Sequence, residues 1–543
     1  MLLLEALAKW VKVCPDKTVF TYLKDDGSER VSITYKELDV RTRAISEHLL
    51  VSAGLTKGAR VLLVFEPSLQ YIVAFIACVR AGIIAVPVFP PHPNKLKKDM
   101  AMFVTIAANC GAEVALTSAE YNSNKRLADM RNMFSKDGAK WPELKWIVVD
   151  DIPSSLPTIE EDKVSLPTDT CFLQYTSGST SEPKGVMISH ANLAHNLSCI
   201  IEELKAGEDT IVVSWLPQYH DMGLIGSYLG CLYCGGSGYY MSPYAFVKQP
   251  LLWLQLVSKY RGTHLQAPNF AYALTARRFR SLKKPLSPPL DLSCIRHMIN
   301  AAEPVMEKDL RAFYDSFRPS GLNDGVVFPT YGLAEHTVLV CSGGAQTLRV
   351  DKKALEIDGN VQLVEAKESP ALAKETSAAA DLAGGAESSD AVARVDDSTA
   401  TIVGCGYPFR KRVDIAPVEV VIVAVEAVGS DAGGSQELKH LGEDKVGEIW
   451  IHSPSKACGY WGNPEKSEED FGATLAADPE KKYLRTGDLG FLHAEELFIC
   501  GRLKDLIIIR GRNHYPQDIE RCVESTTNQL RPGRSAAFPV SVK

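Results

Sequence analysis

Residues 175–185 read Tyr-Thr-Ser-Gly-Ser-Thr-Ser-Glu-Pro-Lys-Gly, and this run constrains the chain more than any other. It packs hydroxyl residues, two glycines and a lysine between two apolar stretches. Residues 170–174 predict a strand before it. Residues 186–188, Val-Met-Ile, follow it, and Ser189 then predicts the N-cap of a helix. Glycines let backbone N–H groups approach oxygen atoms, hydroxyls donate further bonds, and Lys184 adds a point charge. A loop of this composition wraps a polyphosphate. It is not the GxxxxGK[ST] loop, because Lys184 follows Pro183 and precedes Gly185. Gly/Ser/Thr clusters also mark plain turns, but few are this dense in hydroxyls beside a lysine.

At 543 residues the chain exceeds one ordinary core. Its 45% hydrophobic and 23% charged content is that of a soluble globular chain. A net charge of −7 is mild at this length and argues against a general nucleic-acid binder. The 13 cysteines, scattered from Cys14 to Cys522, imply reduced thiols and a cytoplasmic protein rather than a disulfide framework. Cys231 and Cys234 form a lone CxxC pair, read as buried thiols, with metal or redox use as the alternative. The first ten residues predict an amphipathic helix, too soon charged for a signal peptide. The most apolar stretch, residues 71–88, is broken by Arg80, Gly82 and Pro87, so it predicts a buried helix, a turn and a strand, not a membrane span.

From Arg60 strand and helix patterns alternate. Residues 60–65 and 85–88 predict strands around a helix over 67–80. Residues 113–117 and 146–150 predict further strands with helical sequence between them. Such alternation implies parallel sheets covered by helices. No GxGxxG fingerprint occurs, which disfavours a nicotinamide enzyme. After Gly404 the pattern turns β-rich, with strands predicted over 413–415, 418–425 and 447–452. Residues 366–398 are alanine-rich and lack aromatics, which predicts a disordered or mobile surface segment. Residues 349–355, just upstream, predict an ordered stretch.

The run at 175–185 resembles the phosphate loop of the adenylate-forming enzymes: acyl-CoA synthetases, luciferases and peptide-synthetase adenylation domains. Further matches follow in order along nearly the whole chain. Residues 215–221, Trp-Leu-Pro-Gln-Tyr-His-Asp, resemble the family's acyl-site motif. Residues 300–304, Asn-Ala-Ala-Glu-Pro, resemble its adenine-side loop, and 331–335, Tyr-Gly-Leu-Ala-Glu, its adenine-stacking and magnesium motif. Residues 483–488 and 501–505 resemble its ribose and hinge motifs. The implied fold is α/β, with a large N-terminal AMP-binding domain over 1–502. It would hold two helix-covered, mainly parallel sheets (about 1–200 and 201–340) and a β-rich subdomain (402–500).

A carboxylate attacking the α-phosphate of ATP brings two anions together. The site must spread positive charge, hold magnesium and align the attack. By the resemblance, Thr176, Ser177, Gly178, Ser179 and Thr180 cradle the phosphates, with Lys184 as supporting charge. Glu335 and Thr180 would ligate Mg²⁺, since a hard cation takes oxygen ligands. Tyr331 offers adenine a flat face, with Gly332 and Leu333 beside it. Asn300, Ala302, Glu303 and Pro304 would form the adenine side. Asp488 would accept both ribose hydroxyls, reinforced by Arg502, and Lys504 would mark the hinge. Trp215, Tyr219 and His220 would form the acyl site, where the imidazole donates to the substrate carboxylate or the developing mixed anhydride. Lys184, His220 and Glu335 are the catalytic candidates. Taken alone, Glu335 could be a surface helix glutamate, Asp488 a turn aspartate, Lys504 a solvated lysine and His220 a structural histidine.

Residues 215–226, 331–335 and 502–520 most resemble the fatty acyl-AMP ligases. These activate fatty acids as adenylates and load them onto the phosphopantetheine of acyl carrier proteins of polyketide or peptide synthases. Residues 343–401 fall where that branch carries an insertion, which in the family packs against the N-terminal part and hinders coenzyme A. The alanine-rich run at 366–398 is longer and looser than that pattern, which leaves the choice between carrier and coenzyme A open. Arg277, Arg278, Arg280, Lys283 and Lys284 form a basic run, read as a solvated helix face or a dock for an acidic carrier. The family's small C-terminal domain bears a late catalytic lysine. Here residues 503–543 are too few for an independent core, and Lys543 has no matching motif, so the expectation is a truncated C-terminal domain. The implied activity is ATP- and Mg²⁺-dependent formation of fatty acyl-AMP with release of pyrophosphate, for loading onto a carrier protein, with a larger multidomain synthase as one context. The alternatives are a long-chain acyl-CoA synthetase and, for want of the lysine-bearing domain, a binding module impaired in turnover.

Overall fold

Short apolar strands alternate with helices through the first 330 residues, and two mainly parallel sheets result. The computed structural model describes residues 1–92, 96–132, 141–154, 166–176, 182–368, 398–425, 439–509, 512–526, 530 and 534–540. In chain order the strands of these sheets are β1 (Thr18–Leu23), β2 (Glu29–Thr34), β3 (Arg60–Leu63), β4 (Ile84–Pro87), β5 (Val114–Thr117), β6 (Lys145–Val148), β7 (Thr170–Thr176), β8 (Lys184–Ser189), β9 (Ile211–Ser214), β10 (Ser237–Tyr240), β11 (His264–Pro268), β12 (His297–Ala301) and β13 (Val327–Pro329). One sheet has the order β6-β5-β3-β4-β7-β8 and is parallel except for β7 with β8. The other has the order β13-β12-β11-β9-β10-β1-β2 and is parallel except for β1 with β2. The N-terminal hairpin thus joins the second sheet, and the sheets do not divide at one point near residue 200.

The apolar stretch after β3 forms the helix Leu69–Ala81, buried at every position but Gln70. A helix apolar all round belongs in an interior. It ends at Gly82, whose φ of 65° is the left-handed cap that only glycine adopts freely. Buried Arg80 is paired with Asp39 and donates to the Thr42 hydroxyl, so its charge is compensated. Among the described residues no helix is long and apolar enough to cross a membrane. Ser189 caps the helix His190–Glu203: its hydroxyl accepts from Asn192 N at 3.1 Å, and Asn192 Oδ1 accepts from Ser189 N at 3.0 Å.

Downstream, Glu419–Val423, Gly447–His452, Asp478–His493 and Glu496–Arg502 form an antiparallel sheet. The strand expected over 413–415 does not form. Val413 is 97% exposed, and the three-residue run has no partner strand to cover it. Strand β6 also stops at Val148, before a tight turn over Val149–Asp151. Within 343–401, Gln346–Asp351 pairs with both Leu363–Glu368 and Thr399–Val403. Its Leu348 and Val350 pack with Leu489, Phe491, Phe498 and Tyr515 in one core, so this segment leans on the β-rich sheet rather than on the parallel ones. Residues 366–368 end a strand, and the rest of the alanine-rich run to 397 lies outside the described residues.

After Arg502 a hairpin, Ile507–Ile509 with Arg512–His514, leads to the helix Pro516–Ser525. Tyr515 enters the same core as Phe491 and Phe498, so this segment shares a core instead of building its own. Lys543 lies outside the described residues. All thirteen cysteines are free, and Cys231 and Cys234 are buried. Arg277, Arg278, Arg280, Lys283 and Lys284 are exposed.

Candidate active site

Strands β4, β7, β11 and β12 line a cavity of about 640 Å³ together with Glu448, Arg485 and Arg502 of the β-rich layer. Parallel sheets place ligands at the carboxyl ends of their strands. The cavity wall carries charged side chains, with Lys184, Glu335, Lys466, Asp470, Arg485 and Arg502. It also carries apolar ones, with Ile200, Leu204, Met222, Ile299, Val338 and Leu339. Thr176, Tyr219, His220, Ala302, Gly332, Leu333 and Lys504 line it as well. Residues 177–181, which include Ser177, Gly178, Ser179 and Thr180, lie outside the described residues.

Lys184 starts β8 and points at Asp470, Nζ to Oδ2 3.9 Å, while lying 4.6 Å over the Tyr460 ring. Burial lowers its pKa, with Asp470 opposing. The Tyr460 hydroxyl stands 3.1 Å from Glu335 Oε1 and 3.2 Å from Asp470 Oδ2, so one proton serves two carboxylates in turn. Burial raises the Glu335 pKa, and the Tyr460 and Lys184 contacts oppose it.

The loop bearing Glu335 is held rigidly. Gly332 passes so close to Val338 that a Cβ there would sit 1.8 Å from its carbonyl oxygen. Thr337 has φ 68° and ψ −68°, and Val338 N donates to His336 O at 2.8 Å across it, a strained γ-turn for a β-branched residue. The Thr337 hydroxyl donates to Ser455 O at 2.8 Å. His336 is fully buried: Nδ1 donates to Leu339 O at 2.8 Å, and Nε2 therefore accepts from the Ser453 hydroxyl at 2.6 Å. Burial pushes its pKa down to about 3, so it is a neutral strut.

Tyr331 and Asp488 stand one layer behind the wall. Tyr331 donates to Asp488 Oδ2 at 2.6 Å, and Arg502 Nε donates to Oδ1 at 3.1 Å. Asp488 therefore does not offer two free oxygens to a diol. Burial raises its pKa, and Arg502 is the largest opposing influence. Trp215 does not line the cavity either. Its ring stacks on Phe246 at 3.9 Å, because the acyl motif runs into the apolar core beside Trp253, and its Nε1 has no partner among the described residues. Asn300 is fully buried and donates to Asn269 Oδ1 at 3.2 Å. Glu303 turns away to accept from Phe270 N, and Pro304 is exposed off the wall. Ala302 keeps a left-handed φ of 69° at the turn out of β12.

His220 is half exposed on the wall, Nδ1 2.6 Å from Asp221 Oδ1. The Asp221 charge raises its pKa, and burial opposes this. Tyr460, Lys466, Asp470 and Arg485 escape the sequence reading. A signal for them exists in residues 459–464, Gly-Tyr-Trp-Gly-Asn-Pro, where Asn463 caps the helix Pro464–Phe471 that carries Lys466 and Asp470. Arg485 is tied to buried Glu448 at 3.0 Å.

The family model of the AMP-binding enzymes matches residues 7–366. The chain is 37% identical over 532 residues to the medium-chain-fatty-acid–[acyl-carrier-protein] ligase JamA of Moorena producens, covering 97% of this chain and 81% of that protein. It is 31% identical to the long-chain-fatty-acid–AMP ligase FadD32 of Mycobacterium marinum, covering 99% and 80%. Among solved structures, the fatty acyl-adenylate ligase of L. pneumophila in complex with acyl adenylate and pyrophosphate superposes with a TM-score of 0.73 at 34% identity, covering 100% of this chain and 84% of that one.

Proposed function

The chain belongs to the AMP-binding enzyme family, beside its fatty acyl-AMP ligases, and on that premise we propose that it activates a fatty acid with ATP for transfer to an acyl carrier protein. The observation that carries this reading is a cavity whose wall combines charged and apolar side chains. The charged groups suit a triphosphate, the apolar ones an acyl chain, and His220 shares the wall with both. The fatty-acid carboxylate attacks the α-phosphorus of ATP, the bond to the β-phosphate bridging oxygen breaks, and acyl-AMP and pyrophosphate leave.

Lys184 and Arg485 bring positive charge to the phosphates, and partial desolvation strengthens each interaction. Thr176 and the loop 177–181 cradle the phosphate oxygens. Glu335 fits magnesium: it is a half-buried carboxylate on the cavity wall beside the Tyr460 hydroxyl, a hard oxygen set. When bound, the ion neutralises phosphate charge and supports the leaving pyrophosphate. Tyr331, Asp488 and Arg502 serve the nucleoside end as a unit, with Gly332, Leu333 and Ala302 on the wall and Asn300, Glu303 and Pro304 supporting that loop. Trp215 sets the acyl motif from behind, while Tyr219 and His220 meet the acyl carboxyl. Lys504 is the hinge candidate.

The carrier protein, rather than coenzyme A, is the acceptor in this reading, supported by the name of JamA as an acyl-carrier-protein ligase. A cytoplasmic place, where thirteen free thiols stay reduced, and a context within a larger synthase accompany it. The test is exchange of radiolabelled pyrophosphate into ATP. Exchange that requires both Mg²⁺ and a fatty acid, and that falls at least tenfold in Lys184→Met, supports the reading; exchange indifferent to fatty acid contradicts it.

A further inference from the structure

Gln266 is a polar side chain on the cavity wall, paired across the strands with apolar Ile299. It is 8% exposed, lines the cavity, and among the described residues its amide makes no hydrogen bond. Buried amides are nearly always paired, because each lost bond to water must be replaced. Its neighbours on the same wall, Ile299 on β12 and Met222, offer no partner. The amide lies flat against Gly226, where a Cβ would come within 2.2 Å of Oε1 and 2.8 Å of Nε2. Gly226, itself on the wall, thus leaves room for a polar group that a plain hydrocarbon chain would not use.

The register fixes the depth of this amide. Gln266 pairs with Ile299, and Pro268 with Ala301, which adjoins Ala302 on the wall. Two residues along a strand span about 6.6 Å, so Gln266 stands about that far along β11 from the Ala302 turn, level with apolar Ile299.

Resting on the acyl-adenylate reading, we infer that Gln266 selects a fatty acid carrying an oxygen function on its chain, a hydroxyl or oxo group, over the unsubstituted acid. The amide N–H donates to that oxygen, and its carbonyl accepts from a hydroxyl. A site built around such a bond rejects the analogue that lacks the group, because the amide is then left unpaired.

The experiment compares kcat/KM for adenylate formation with dodecanoic acid and a series of its monohydroxy derivatives substituted along the chain, in the full chain and in Gln266→Met, which keeps the length and loses the hydrogen bonds. The full chain is expected to favour one hydroxy acid over dodecanoic acid by about tenfold and Gln266→Met to lose that preference while retaining activity on dodecanoic acid. Gly226→Ala, which presses a methyl group into the amide, should reduce the preference independently. No preference for any hydroxy acid in the full chain, or a preference kept in Gln266→Met, overturns the inference alone. Adenylation of none of these acids overturns the functional reading and this inference with it.

Discussion

Tyr331 donates its hydroxyl to Asp488 at 2.6 Å across 157 residues of chain, tying the loop that carries Glu335 to the β-rich layer that carries Arg502. Neither residue reaches the cavity wall, yet together they set the two loops that do. Tyr331→Phe leaves Asp488 buried with Arg502 as its remaining partner. The expected cost is about 1–3 kcal/mol in denaturant unfolding and about a tenfold rise in KM for ATP, with little change in KM for the fatty acid. Equal rises in both would show that the pair does not serve the nucleotide end.

Glu335 is costly to bury as an anion. Its pKa is raised in the folded chain, so between its unfolded and folded values the native state binds more protons, and stability falls as pH rises through that window. Glu335→Gln, uncharged, should melt about 2 °C higher than the parent at pH 7 in chelator, with the gap closing toward pH 4.5, and lose at least about a hundredfold in adenylation rate. A lower melting temperature at pH 7 would contradict the assignment of burial as the dominant influence.

His220 offers a test by pH. Asp221 accepts from Nδ1, so Nε2 can donate to a substrate carboxylate only as the imidazolium. The raised pKa keeps that cation above the usual histidine value near 6.5, and it is lost as pH climbs past the raised value. The fatty-acid kcat/KM should therefore fall on the alkaline side, and Asp221→Asn should move the fall to lower pH. A profile unchanged in Asp221→Asn would remove His220 from this role.

Gly332→Ala tests the close approach beneath the Glu335 loop. The added methyl would meet the Val338 carbonyl at 1.8 Å, and a backbone atom cannot swing aside. A loss of about 1–3 kcal/mol in chemical denaturation is expected, with activity falling further than stability because Glu335 shifts with the loop. A variant as stable and active as the parent would show that the loop is not rigid.

The parallel sheets and the order of the motifs were legible because their signals are local: β-branched runs, the Ser189 cap, and the Gly82 stop. The motifs single out Glu335, Lys184 and His220 as candidates, and the structure brings them to one cavity. The Tyr331–Asp488 bond was not, since each motif implies a surface to a ligand and no local pattern joins them. Trp215 likewise reads as a ligand contact in its motif, but the aromatic cluster that claims it comes from Phe246 and Trp253, on separate helices. Ile200, Leu204 and Val338 read as core because an apolar cavity wall and a core have the same composition. Gln266 sits inside a strand pattern whose alternation hides a polar residue facing an internal space.

The acceptor distinguishes an acyl-AMP ligase from an acyl-CoA synthetase, and one competition measures it. The chain is supplied with Mg·ATP, a fatty acid, coenzyme A and a holo acyl carrier protein together, and every product is weighed by mass spectrometry. Acyl-AMP and acylated carrier without acyl-CoA is the result predicted. Acyl-CoA as the main product, or no adenylate with any fatty acid, would contradict it.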